Sequence, residues 1–143
     1  MHRILFLLLL LLFTGGCTNT TTEKEKYDDG KIKSEKVYSE VDGEKVLVKE
    51  LHYHPNGEKY MEGAYKDNKR HGHWVSWYDN GQLWSEGDFN NGLSEGKWIV
   101  YHRTGKKHYE GNFKDGERTG VWKFYDDAGN QINEVDYSKT PNP

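Results

Sequence analysis

The chain of 143 residues holds one cysteine, Cys17, so no disulfide can form within it. Aliphatic side chains are scarce: the 127 residues from Cys17 onward contain eighteen Leu, Ile, Val and Phe together. At that level a chain of high net charge stays unfolded. A dominant charge is missing too, since 20 Lys and Arg face 23 Asp and Glu for a formal net charge of −3. Removing residues 1–16 takes away Arg3 alone among the charges and leaves −4. A mildly acidic surface repels phosphate, which excludes nucleic-acid binding by bulk charge. No helix-length apolar stripe occurs in the body of the chain. What the body does have is rings: all five Trp and all ten Tyr follow Cys17. Each ring buries a large area, so the expectation is one folded domain with an aromatic core.

The first residues read as an address. Met1-His2-Arg3 is positive, and residues 4–13 are apolar. A stretch that short spans about 15 Å as a helix, half of a hydrocarbon core of roughly 30 Å, and so fits a signal h-region rather than a membrane span. It leads through Thr14-Gly15-Gly16 into Cys17. This resembles a bacterial lipoprotein signal, departing from it at Thr14, where Leu is usual. The resemblance implies removal of residues 1–16, lipid attachment at Cys17, and a membrane-anchored protein of the cell envelope. Thr18 rather than Asp follows the cysteine, which by resemblance to Gram-negative sorting rules implies the outer membrane where the host has one. Residues 17–26 are expected to be the lipidated cysteine and a polar, flexible tether.

From residue 53 the chain repeats itself every 24 residues without a break. Trp74, Trp98 and Trp122 keep this interval, as do Gly57, Gly81, Gly105 and Gly129, and Glu62, Glu86, Glu110 and Glu134. Tyr65, Phe89, Phe113 and Tyr137 keep it as well. A weaker copy, Gly30, Glu35 and Tyr38, precedes Gly57, Glu62 and Tyr65 by 27 residues and lacks a Trp, as an atypical terminal unit does. Each period carries two turn signals, one at Asn56-Gly57, Asn80-Gly81, Thr104-Gly105 and Ala128-Gly129, the other at Asp67-Asn68, Asn91-Gly92 and Asp115-Gly116. Between them the sequence is aromatic and β-branched. The prediction is an all-β, elongated antiparallel meander of about four hairpin repeats plus a degenerate N-terminal unit, over residues 27–137, followed by a tail over 138–143.

Alternation places Gly63 with Tyr65, Gly87 with Phe89 and Gly111 with Phe113 on one face, leaving room for a neighbouring ring over each glycine. Trp77, Tyr101 and Tyr125, three positions after each Trp, fall on the opposite side by strict alternation. Either both faces bear rings or a bulge re-aims one set. The segment Tyr109-Glu110-Gly111-Asn112-Phe113-Lys114-Asp115-Gly116, continuing to Gly120-Val121-Trp122, resembles a MORN repeat (membrane occupation and recognition nexus). Residues 61–72 and 85–96 resemble it too; Asn68 stands for a turn glycine, and Glu134-Val135 for Glu-Gly. The resemblance is nearest to the bacterial MORN-variant proteins often labelled antitoxins. It implies a β-sheet used for binding or scaffolding.

His52 with His54 and His71 with His73 form His-x-His pairs that can hold a metal on one strand face, but neither recurs at the period; exposed histidines beside turns are the expectation, with no metal and no cofactor. The carboxylates Glu62, Glu86, Glu110 and Glu134 recur in every unit, which suits cross-strand pairing rather than a single active site. No nucleophile–base constellation is recognisable, so no enzymatic activity is expected. The candidate binding residues are the aromatic rows Trp74, Trp77, Trp98, Tyr101, Trp122 and Tyr125, which suit hot spots for a protein partner or stacking platforms for a cell-wall glycan. An immunity role against a toxin is a specialised form of the protein-binding expectation.

Overall fold

The computed structural model describes residues 19–139; the expected signal segment and lipidated Cys17, within residues 1–18, and residues 140–143 lie outside the described residues. The described residues form a single ten-stranded antiparallel sheet in chain order. Its strands are β1 (Thr20–Lys26), β2 (Ile32–Val41), β3 (Glu44–Tyr53), β4 (Lys59–Lys66), β5 (Lys69–Trp77), β6 (Leu83–Asn90), β7 (Leu93–Tyr101), β8 (Lys107–Lys114), β9 (Glu117–Tyr125) and β10 (Gln131–Asp136). This is the open meander that the turn spacing predicts, and it runs about 43 Å across its strands at ~4.8 Å per step.

The connections alternate. Two-residue turns at Asp42-Gly43, Asp67-Asn68, Asn91-Gly92 and Asp115-Gly116 place both residues at positive φ, between 50° and 87°, the mirror-image turn that suits twisted strands. Five-residue loops join the other pairs. In each, the first residue's N–H bonds the fifth residue's carbonyl, as from His54 to Glu58 and from His102 to Lys106, both at 2.8 Å. The three-residue slip of the first unit lies in strand length: β2 and β3 have ten residues each, against eight and nine in β4 and β5.

The tether expected over residues 17–26 is corrected from Thr20 onward, where the chain is β1, paired with β2 from Thr20 opposite Ser39 to Lys26 opposite Ile32. Every β1 residue is exposed, so there is no apolar alternation to read. Threonine's branched Cβ favours strand, and charge pairing supplies the rest. Lys24 meets Glu35 at 3.0 Å, Glu25 meets Lys33 at 2.7 Å, and Glu23 meets Lys45. Such charged edges also discourage a further strand from adding.

Among the described residues no second layer packs on the sheet, and its core is built from one row of rings. Tyr65, Trp74, Phe89, Trp98, Phe113, Trp122 and Tyr137 follow one another edge to face, with centroids 5.1–6.0 Å apart and planes at 73–88°, the geometry that ring quadrupoles prefer. Each Trp lies flat on the glycine of the preceding strand. A Cβ at Gly63, Gly87 or Gly111 would sit 2.1–2.3 Å from the ring of Trp74, Trp98 or Trp122. The indole N–H groups donate to the carbonyls of Ala64, Asp88 and Asn112 at 3.1–3.3 Å. A second glycine makes the placement work: Gly72, Gly96 and Gly120 have φ of 62–69° and shift the strand so that, for example, Gly63 pairs with Trp74 but Ala64 pairs with His71.

This rule explains the units that break the pattern. In β2 and β3, Lys36, Val48 and Glu50 occupy the places of the two glycines and the Trp, and Lys36 is registered opposite Glu50 as Gly63 is opposite Trp74. Glu50 is 9% exposed and is held by the Tyr65 hydroxyl at 2.9 Å, His52 at 3.1 Å and Lys36 at 4.0 Å. At the other end Val135 stands opposite Trp122. Trp122 leans back on Gly111, and among the described residues no later strand lays a ring over position 135, so a side chain fits there.

The opposite face carries the recurring carboxylates; Glu62, Glu86 and Glu110 are tied to cations or phenols, and Glu134 accepts from the Gln131 amide at 3.3 Å. Glu62 pairs with Lys49 and Lys59 at 3.1 and 3.2 Å, and Glu110 with Lys97 and Lys107 at 3.1 and 3.0 Å. Burial pushes the Glu110 carboxyl up, but hydrogen bonds from Lys107, Tyr125 and Lys97 outweigh it and hold its pKa at about 2. A depressed carboxylate stabilises the fold fully above its unfolded value, near 4.5, and loses that contribution as pH falls toward 2. Glu110→Gln is therefore expected to flatten the decline of stability between pH 4.5 and 2, measured by urea unfolding across that window. A variant with the same acid limb as the parent would show that Glu110 is not among its causes.

Candidate functional site

The six aromatic residues singled out from the sequence do not make one surface. Trp74, Trp98 and Trp122 stand in the ring row, while Trp77, Tyr101 and Tyr125 lie on the opposite face with the carboxylates. There the Tyr101 hydroxyl donates to Glu86 at 2.7 Å and that of Tyr125 to Glu110 at 2.8 Å. Burial and the bond to Glu86 push the Tyr101 phenol up to about 12. These tyrosines are structural struts of the carboxylate row.

Of the three tryptophans in the ring row, Trp74 is 3% exposed and Trp122 0%. Arg70 covers Trp74 with its guanidinium carbon 4.2 Å from the ring centroid, and Arg118 covers Trp122 at 4.5 Å, a favourable cation–π arrangement. Trp98 has no such cover, because Ser94 occupies the equivalent place; it is half-buried.

Ser94 is one of three small residues clustered in the middle of the array. Ser76 stands where Val100 and Phe124 stand in later units, and Ser85 where Met61 and Tyr109 do. The missing volume becomes two cavities of about 320 and 300 Å³ on the ring face, with Trp84, Ser85 and Trp98 as shared walls. Ser76 and Ser85 floor the first, their hydroxyls bonded to each other at 2.6 Å; Ser94, Val100 and Tyr109 line the second. The linings are mainly aromatic with a few small polar side chains, the character of ligand sites.

Trp84 is the residue the sequence reading missed. Ser76 pairs with Ser85 and Trp77 with Leu83, leaving Trp84 as the extra residue of a β-bulge, which re-aims its side chain. Tyr60, His108 and Ile132 occupy the same position in other units. Trp84 is 36% exposed, with Tyr60 stacked at 6.2 Å and Tyr78 at 6.0 Å. It lines both central cavities and a third of about 290 Å³ at the loop end, beside Tyr78, Asp79 and Arg103. The signal available in the sequence was an indole outside the 24-residue Trp column.

The histidine pairs are dispersed. His52 bonds Glu50, His54 donates to the Trp77 carbonyl at 2.9 Å, and His73 meets Asp88 at 3.1 Å. His54 shares its role with Tyr27, Tyr78 and His102, each bonding from the start of one five-residue loop to the carbonyl just before the next. Among the described residues no group of three or more His, Cys, Asp or Glu is arranged to hold a metal ion.

With the cavities placed between β4 and β9, the comparison with known families bears on both the fold and the site. Three segments match the MORN repeat variant: residues 20–40, 70–91 and 94–115. The first of these segments covers β1 and β2, so the charged hairpin at the start of the sheet also matches the repeat model. The other two cover β5–β6 and β7–β8 and contain Ser76, Ser85, Ser94, Trp84 and Trp98; the cleft thus lies in segments that match the repeat model and keep the 24-residue spacing, with substitutions and no insertion. No curated protein and no solved structure matches the chain.

Proposed function

We propose that this MORN-repeat chain is a non-enzymatic, lipid-anchored protein of the bacterial cell envelope, and that its sheet binds a protein partner in the cleft around Trp84 and Trp98. The observation that carries the binding reading is the triple loss of bulk at Ser76, Ser85 and Ser94, which opens a site in an array otherwise filled by rings and arginines. An exposed indole at the centre of adjoining cavities has the character of an interaction hot spot. The anchor reading rests on the Cys17 signal; several acyl chains there would hold the protein durably, each methylene contributing about 0.8 kcal/mol.

The test fills the site with a residue the fold already accepts. Ser94→Arg restores the arginine found at positions 70 and 118, so the sheet should remain folded while the second cavity closes. In crosslinking capture from envelope membranes with the full-length protein, the parent is expected to enrich a discrete protein, and Ser94→Arg and Trp84→Ala to reduce that enrichment at least tenfold, a loss of about 1.4 kcal/mol or more. Undiminished capture by both variants would sink the cleft as the binding site; retention on cell-wall glycan without a protein would replace the protein reading. In parallel, incorporation of labelled fatty acid should vanish in Cys17→Ser.

A further inference from the structure

The walls of the cleft are charged with one sign. Arg70 lines the first cavity and Arg118 the second, and no Asp or Glu lines either. Among the described residues neither arginine forms an ion pair, although cations elsewhere do: Arg103 with Asp79, Lys97 with Glu110, Lys114 with Glu95. The carboxylate at the same end of the ring row, Glu50, is already occupied by Tyr65, His52 and Lys36. Each guanidinium lies over an indole, and its other polar contacts are with neutral groups: Arg70 with the Met61 sulfur at 4.0 Å and with the Tyr65 hydroxyl, Arg118 with the Tyr137 hydroxyl at 2.9 Å. A guanidinium has five N–H donors, so both retain capacity for a carboxylate, for which the planar fork is suited. In a chain where acids outnumber bases, 23 to 20, two cations facing a cleft without counter-charge define what it accepts.

Position adds a second constraint. Arg70 is on β5 and Arg118 on β9, four strand steps apart or about 19 Å, with the two ring-walled cavities and Trp98 between them. We infer that the cleft takes an acidic peptide segment: apolar side chains fill the two cavities and carboxylates on either side engage Arg70 and Arg118. This rests on the protein-binding reading above. Apolar side chains are favoured over sugar rings as cavity fillers because the lining offers aromatic surface and few polar groups, and the Ser76 and Ser85 hydroxyls already satisfy each other.

The experiment uses the full chain in detergent and synthetic peptides carrying two Leu or Trp residues at varied separations, flanked by Asp and Glu, by Lys, or by Ser. Binding is followed by tryptophan fluorescence and by competition. Acid-flanked peptides are expected to bind at least tenfold more tightly than lysine-flanked ones and to weaken as salt rises. Arg70→Gln with Arg118→Gln should erase this preference, Arg70→Lys with Arg118→Lys should keep part of it, and circular dichroism should show all variants folded. Equal binding whatever the flanks, or an acid preference that survives both Gln substitutions, overturns the inference. If the partner captured from envelope membranes is retained by the Gln variant but lost by Ser94→Arg, the protein-binding reading stands and the acidic specificity does not. If no peptide binds, or a polyuronate probe binds where peptides do not, the inference falls, and capture that persists in Ser94→Arg removes the reading beneath it as well.

Discussion

Replacing Gly111 by alanine is expected to cost the sheet about 3 kcal/mol or more, the upper range for overpacking a core. The added Cβ would sit 2.2 Å from Trp122 Cδ2, and the ring has nowhere to go. It is 0% exposed, with Phe113 and Tyr137 against its edges and Arg118 across it. Trp122→Ala should cost a comparable 3–5 kcal/mol through lost burial and an unfilled space. The informative variant is the pair. With the ring removed, the methyl added at position 111 enters vacated volume, so Gly111→Ala with Trp122→Ala should be scarcely less stable than Trp122→Ala alone. Urea unfolding of the four proteins measures the coupling; additive losses would show that the contact of ring and glycine is not what makes Gly111 necessary.

The second large effect lies at the atypical end. Glu50→Trp alone is expected to destabilise by about 2 kcal/mol or more, since the new ring meets the Cβ of Lys36 and leaves the Tyr65 hydroxyl without its acceptor. Adding Lys36→Gly and Val48→Gly reproduces the Gly-Gly-Trp set of the other units and should return most of the loss, lengthening the ring row by one member. Thermal melts of the single and triple variants decide it. A triple variant no more stable than Glu50→Trp would mean that the three positions are not coupled as the repeats imply.

What could be read in advance follows from how often the physics repeats. Strands, turns, the Gly63–Trp74 type of contact and the structural role of the glutamates recur at each period, so the sequence displays them several times over. The β1 strand was invisible because its seven residues are all exposed; its partners are charges on β2 and β3, and nothing in composition separates such a strand from a solvated tether. The cleft was hidden for a different reason. It consists of what Ser76, Ser85 and Ser94 do not fill, and the sequence search followed residues that recur rather than small ones that interrupt. Trp84 escaped because one bulge residue sets its direction, and strict alternation carries no record of a bulge. The choice left open between rings on both faces and a bulge resolves as both: Tyr101 and Tyr125 lie opposite the Trp row, and bulges occur in every unit.

The order of the sheet has a consequence for how the molecule comes apart. All its substantial contacts join consecutive strands, so it behaves as a one-dimensional zipper in which each unit is held only by its neighbours. Within its ring row the under-filled tooth is the central stretch between Ser76 and Ser94. With this joint empty, the N-terminal and C-terminal halves are expected to open with partial independence, which hydrogen exchange on β6 and β7 would measure. A partner seated there, as proposed above, would act as a splint, and its affinity would be read out as cooperativity between the two halves of the sheet.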